Sequence, residues 1–77
     1  MQVFHRPLVG SMVFFAEAGV LWAIHLVAGR ATIKSAETSI AMDAGDTALL
    51  DAADAHPARS ILDGGGDVIL VRLQAIV

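Results

Sequence analysis

The side chains able to do chemistry in this 77-residue chain are few: three histidines, one tryptophan, five cations, eight acids and no cysteine. His56 closes the stretch Ala44–His56 and stands beside Pro57. An imidazole there can hydrogen-bond an acidic group or exchange a proton near neutral pH; the plainer reading is a loop histidine with no task. Asp43, Asp46, Asp51 and Asp54 put four carboxylates within twelve residues, which suggests calcium. They lack the regular alternation and closing glutamate of a calcium loop, and turn chemistry accounts for them. Ser11, Ser35, Ser39 and Ser60 carry no nucleophile-elbow glycines, and Gly64–Gly66 lacks the Lys-Ser/Thr ending of a phosphate loop. No nucleophile, base and orienting group can be assembled. No catalytic residue and no metal-ligand set is therefore assigned.

The elements that must position the remaining candidates read as strands. Gln2–Arg6 is short, and Pro7 is expected to end its part in any ladder. Met12–Phe15 is aromatic and β-branched, as a pleated surface favours, and Ala16–Gly19 supplies a turn or bulge. Val20–Val27 is apolar on both faces except for His25. Its length and its bounding glycines favour a central strand over a buried helix. Alternation places Trp22, Ile24 and Leu26 on one face and Leu21, Ala23, His25 and Val27 on the other, so His25 is expected in a core or an interface. Arg30–Lys34 and Thr38–Met42 form a hairpin across a turn at Ser35–Glu37. Asp43–Asp46 is a tight turn, where Gly45 can take positive φ. It leads to the short strand Thr47–Leu50 and then to the elbow ending at His56. Ala58–Leu62 follows, then the strongest turn signal in the chain, Asp63-Gly64-Gly65-Gly66-Asp67. Val68–Val77 is the last strand. It has Ile69, Val71 and Leu73 on one face and Val68, Leu70 and Arg72 on the other. Short strands with turns every 8–12 residues describe a sandwich or barrel. The expected class is all-β.

Composition narrows the function. The chain is one small domain with a thin stability margin. Its hydrophobic content of 56% leaves more apolar surface than a small core hides, which points to self-association or a larger parent. A net charge of −3 from scattered acids argues against a nucleic-acid partner, which needs a basic stripe. Leu8–Gly29 has the length of a membrane span with one formal charge, Glu17. However, Glu17 would cost about 3 kcal/mol near mid-bilayer, two glycines divide the stretch, and no Lys/Arg cluster flanks it. No membrane partner is expected. Met1–Arg6 shows no secretory pattern, and the expected location is cytoplasmic.

With these elements in place, residues 10–73 resemble a cupin, the small jelly-roll barrel. The resemblance rests on WAIHLVAG followed by RATIKSAETSIAMDAGDTALLDAADAH. The second cupin motif is a Gly, five residues, a Pro, one residue, a Gly, two residues and a His. Here Gly45, Asp51, Ala53 and His56 keep that spacing, with the first and last residues matching. The first motif is a Gly, five residues, His-x-His, three or four residues, a Glu, six residues and a Gly. Counting back from Gly29, its Glu falls on Trp22, its two histidines on Ala16 and Ala18, and its leading Gly on Gly10. The glycines survive and all three ligands of that motif are gone. A divalent metal needs about three or four converging ligands, so cupin metal chemistry is not carried over and no cofactor is expected. QVFHRPLVGSMVFFAEAGVLWAIHLVAGRA and AGDTALLD further resemble the HutD/Ves group of metal-less cupin-like proteins. That group is associated with histidine utilisation and with binding a small pathway metabolite. Its members have two cupin-like halves, so this chain would correspond to the C-terminal half, as a single-half homologue or a truncated copy. Exposed strand edges would then favour a homodimer or larger homo-oligomer.

The resemblance implies a single all-β domain over residues 1–77, a small cupin-like jelly-roll barrel (double-stranded β-helix), possessing three ligand-binding candidates. His56 keeps the cupin ligand position and would meet an acidic ligand at the barrel mouth. Trp22 should point into the barrel, either stacking on a flat ligand or plugging the space a metal vacated. Arg72 either grips a carboxylate in the cavity or pairs with an acid at a dimer seam. Glu17 lies next to the former ligand positions, as a pocket acid or a solvated turn residue. The expected function is non-enzymatic binding of a small acidic metabolite, with formylglutamate and urocanate as candidates, in the regulation of amino-acid (histidine) catabolism. Two alternatives stand beside it: an oligomerisation module with a filled barrel, and a metal-independent isomerase or lyase using His56 as acid/base.

Overall fold

The computed structural model describes residues 1–15, 17, 19–35, 39–51 and 59–74. It holds five strands in chain order: β1 (Gln2–Phe15), β2 (Val20–Lys34), β3 (Ser39–Asp43), β4 (Thr47–Asp51) and β5 (Arg59–Gln74). All pairings are antiparallel. The order across the sheet is β1-β5-β2-β3, with β4 also paired to β2.

Three of these strands are too long to be straight. Sixteen residues of β5 would run about 50 Å at ~3.3 Å per residue, whereas the longest dimension of the chain is 36 Å. The bend falls at one level in all three strands, where the pairing aligns Leu8, Gly66 and Gly29, then Val9, Gly65 and Arg30, then Gly10, Gly64 and Ala31. Gly29 and Gly66 have φ of 90° and 134°. A Cβ on either would collide with the backbone of the neighbouring strand, at Gly65 O and Ala28 O respectively. Backbones can approach that closely only where side chains are missing.

The bend divides the sheet into two halves that fold over one another. The first half-sheet takes β4 and the portions 2–9, 66–74 and 20–28 of the long strands. The second takes β3 and the portions 11–15, 59–63 and 30–34. Leu8, Ile24, Leu26, Val68 and Leu70 line the inside of the first. Phe14, Ala31, Ile33, Met42 and Leu62 close over them from the second.

β3 and β4 make a fourth bent ribbon along β2. The turn between them is tied to β2 where the register slips between Leu26 and Ala28. There Gly45 N–H donates to Leu26 O (2.7 Å) and Leu26 N–H donates to Asp46 O (2.9 Å). Asp43 N–H donates to Asp46 Oδ2 (2.8 Å), and Gly45 takes φ of 99°. Turn chemistry therefore occupies these two aspartates.

Two sequence expectations need correction. Asp63–Asp67 is not a chain reversal: the three glycines lie within β5, which continues through the bend. Pro7 does not leave the ladder. It stands opposite Asp67 within β1, an edge strand whose outer side needs no N–H donor. Six of the eight expected segments thus survive as halves of three longer strands, and the other two correspond to β3 and β4. No helix among the described residues is long and apolar enough to cross a membrane. The described parts of Leu8–Gly29 fall in β1, β2 and the turn joining them, where Val20 N–H donates to Glu17 O (3.1 Å).

Candidate ligand-binding site

At the end of the sandwich away from the glycine bend, Trp22 on β2 lies directly opposite Arg72 on β5 and Leu50 on β4. Gln2 on β1 completes the row beside Arg72. All four positions alternate with the outward residues of their strands, so the row belongs to the inner face. One layer deeper come Phe4, Leu70, Ile24 and Ala48.

The second half-sheet reaches this row through Phe14. Its ring meets Trp22 edge-on with centroids 5.4 Å apart, the geometry ring quadrupoles prefer. The Phe4 ring lies tilted to the indole with centroids 6.4 Å apart, and the Arg6 guanidinium sits 5.6 Å from the Phe4 ring centroid. Between the half-sheets lies a cavity of about 230 Å³ open to solvent on one side. Its walls are largely apolar, from Val13, Phe14, Phe15, Val20 and Trp22. Two ionisable side chains also line it, Arg72 and Glu17.

Arg72 is half-buried, with Nη1 donating to Gln74 Oε1 at 3.2 Å. Guanidinium has five N–H donors in a planar fork, so one bond to a neutral amide leaves most of them for another acceptor. Trp22 is half-buried too: it packs on the core and also forms a wall of the cavity. No buried side-chain nitrogen or oxygen among the described residues lacks a partner.

Of the three sequence candidates, Trp22 and Arg72 come together as cross-strand neighbours. His56 lies outside the described residues, as do Ala16, Ala18 and Asp54. Arg72 stands on the cavity side of β5. His25 points to the opposite face of β2 from Trp22, with Nδ1 2.7 Å from Thr47 Oγ1. Among the described residues no three His, Asp or Glu side chains converge as a metal site would require. Sequence reasoning missed Val13, Phe14 and Phe15 as cavity walls. Their alternation with Met12 was visible, but their place over Trp22 depends on the fold-over at the glycines.

No family model matches the chain, and no curated protein does. A solved structure it resembles is the solution NMR structure of a de novo designed double-stranded β-helix. The TM-score is 0.65 at 11% identity, covering 95% of this chain and 94% of that one. The chain has the double-stranded β-helix fold. The likeness extends over both half-sheets and concerns backbone architecture alone.

Proposed function

We propose that this double-stranded β-helix is a non-enzymatic binder of a small carboxylate-bearing molecule, held in the cavity between its half-sheets. The observation that carries the reading is the pairing of Trp22 with Arg72 on one cavity wall. A planar cation beside an aromatic face, in an otherwise apolar recess, suits a flat or short acid. Phe14 and Phe15 supply the opposing apolar surface. The volume limits the ligand to small-metabolite size. The resemblance to HutD/Ves-type proteins supplies the choice of candidates, formylglutamate and urocanate, and the proposed role in regulating histidine catabolism in the cytoplasm.

A thermal-shift series with those two acids, and with divalent metals alongside, tests the reading. A ligand at a hundred times its dissociation constant should stabilise the fold by about 2.7 kcal/mol, several degrees in a domain of this size. Stabilisation by an acid, lost in Arg72→Leu, supports the binder. Stabilisation by metals and not by acids would overturn it. The contact of Trp22 with both Phe14 and Phe4 favours one second reading, a barrel filled by its own side chains and serving assembly, for which no small molecule shifts the transition.

A further inference from the structure

The two outer faces of the sandwich differ in kind. On the second half-sheet charged and polar outward side chains interlace across the strands, with Val13 and Phe15 exposed on the edge strand β1. Lys34 Nζ lies 3.8 Å from Asp63 Oδ2, Ser11 Oγ donates to Asp63 Oδ1 at 3.2 Å, and Arg30 Nε lies 3.6 Å from Asp43 Oδ1. The outer face of the first half-sheet has no ion pair among the described residues, and its side-chain contact of His25 with Thr47 joins two groups without formal charge. Its middle row is Val3, Val71, Ala23 and Leu49, side by side on four strands. Leu73 and Leu21 continue it on one side, and His5, Ile69, His25 and Thr47 on the other. Val3 is 58% exposed, Leu49 65% and Leu73 40%. The middle row and the His5–Thr47 row contain no Lys, Arg, Asp or Glu, and the Leu73–Leu21 row ends at Asp51 on β4.

We infer that this face is a homodimer interface, covered by the same face of a second copy. Charge argues for a copy over other occupants. A chain of net charge −3 meets itself with least repulsion through a surface whose middle carries no acids, and on this face the acids, Asp51 and Asp67, stand only at the two ends. A lipid surface would instead call for a basic rim, whereas Asp67, opposite Pro7, borders the face at its bend. Shape argues the same way, since two twisted sheets stack face to face about 10 Å apart with strands within about 30°. Four strands of about six residues present roughly 19 by 20 Å. A pair then covers an area near the lower bound for a specific interface, about 1,000 Å² in total accessible surface, so the dimer should be a weak one that dissociates on dilution. The contact is isologous: each copy offers Leu49 and Val3 from opposite ends of the row. It is independent of the cavity, which opens on the inner side of the same half-sheet.

Sedimentation velocity of the full chain across a wide concentration series tests the inference. A reversible monomer–dimer equilibrium is expected. Leu49→Lys and Val71→Lys should each raise the dissociation constant at least tenfold, while Ala41→Lys, exposed on the second half-sheet, leaves it unchanged. Because a lysine at a half-buried position can disturb folding, a second measurement uses the lack of cysteine. A single thiol at Leu49→Cys should react with a maleimide more slowly as protein concentration rises, and one at Ala41→Cys should not. A wild-type chain that stays monomeric at the highest concentration overturns the inference. So does a dimer that Ala41→Lys disrupts and Leu49→Lys does not, or binding of the monomer to anionic vesicles that Leu49→Lys abolishes.

Discussion

Trp22 meets the core with one part of its ring and the cavity with another, which makes it the residue on which binding and stability are hardest to separate. Deleting the ring removes its contacts with Phe14 and Phe4 and widens the cavity. Trp22→Ala should therefore cost about 2–3 kcal/mol, below the usual 3–5 for a fully buried aromatic because Trp22 is half-buried. Chemical denaturation measures this directly. Arg72 is the cleaner probe. Its one side-chain hydrogen bond among the described residues runs to Gln74 on its own strand, so Arg72→Leu should move the denaturation midpoint by less than about 1 kcal/mol in free energy. In a titration with the acidic ligand it should nevertheless abolish the response. At this scale the sequence was informative about faces and silent about partners. Period-two alternation put Trp22 and His25 on opposite sides of β2, and Arg72 with Val68 and Leu70. That Trp22 faces Arg72 was not legible, because the register of strands fifty residues apart is not a local property.

At the scale of elements, the row of glycines does what no turn could. It lets three neighbouring strands bend at one level without breaking their pairing. Two different constraints operate along it. Gly10 has φ of 83° with open space where a Cβ would be, so Gly10→Ala costs only the left-handed backbone, about 1–2 kcal/mol. Gly29 has the same kind of φ and the carbonyl of Gly65 in the way. Gly29→Ala must push two strands apart and should cost at least about 3 kcal/mol, most of what a domain of this length has. Circular dichroism at room temperature should show Gly10→Ala folded and Gly29→Ala largely unfolded; equal effects would mean that the close approach is unimportant. The same glycines explain where sequence reasoning went astray. Asp63–Asp67 has the composition of a reversing turn, and a corner inside a strand demands the same backbone freedom. Only pairing on both sides of the bend distinguishes them. The Asp43–Asp46 turn, by contrast, was readable, because its hydrogen bonds between Asp43 and Asp46 close within four residues.

The whole molecule is held by long-range contacts. β5 lies between β1 and β2, and Gln2 is paired with Arg72. Such a topology folds slowly, on the order of milliseconds to seconds. It also has consequences for birth on the ribosome. The strand at the centre of the sheet is the last of the five to be made. β2, β3 and β4 can associate as they emerge, yet β1 has no partner among the described strands until β5 arrives, and the inner face of β2 stays uncovered. Domains that fold stepwise from the N-terminus gain protection as they lengthen; here protection should come all at once. Nascent chains stalled before residue 59 should be cleaved by protease as readily as unfolded chain. Chains stalled far enough beyond residue 74 for β5 to clear the ribosome should turn resistant abruptly. Until then the apolar strands are exposed in the cell as sticky ribbons, and a nascent-chain chaperone is the partner each copy would meet first.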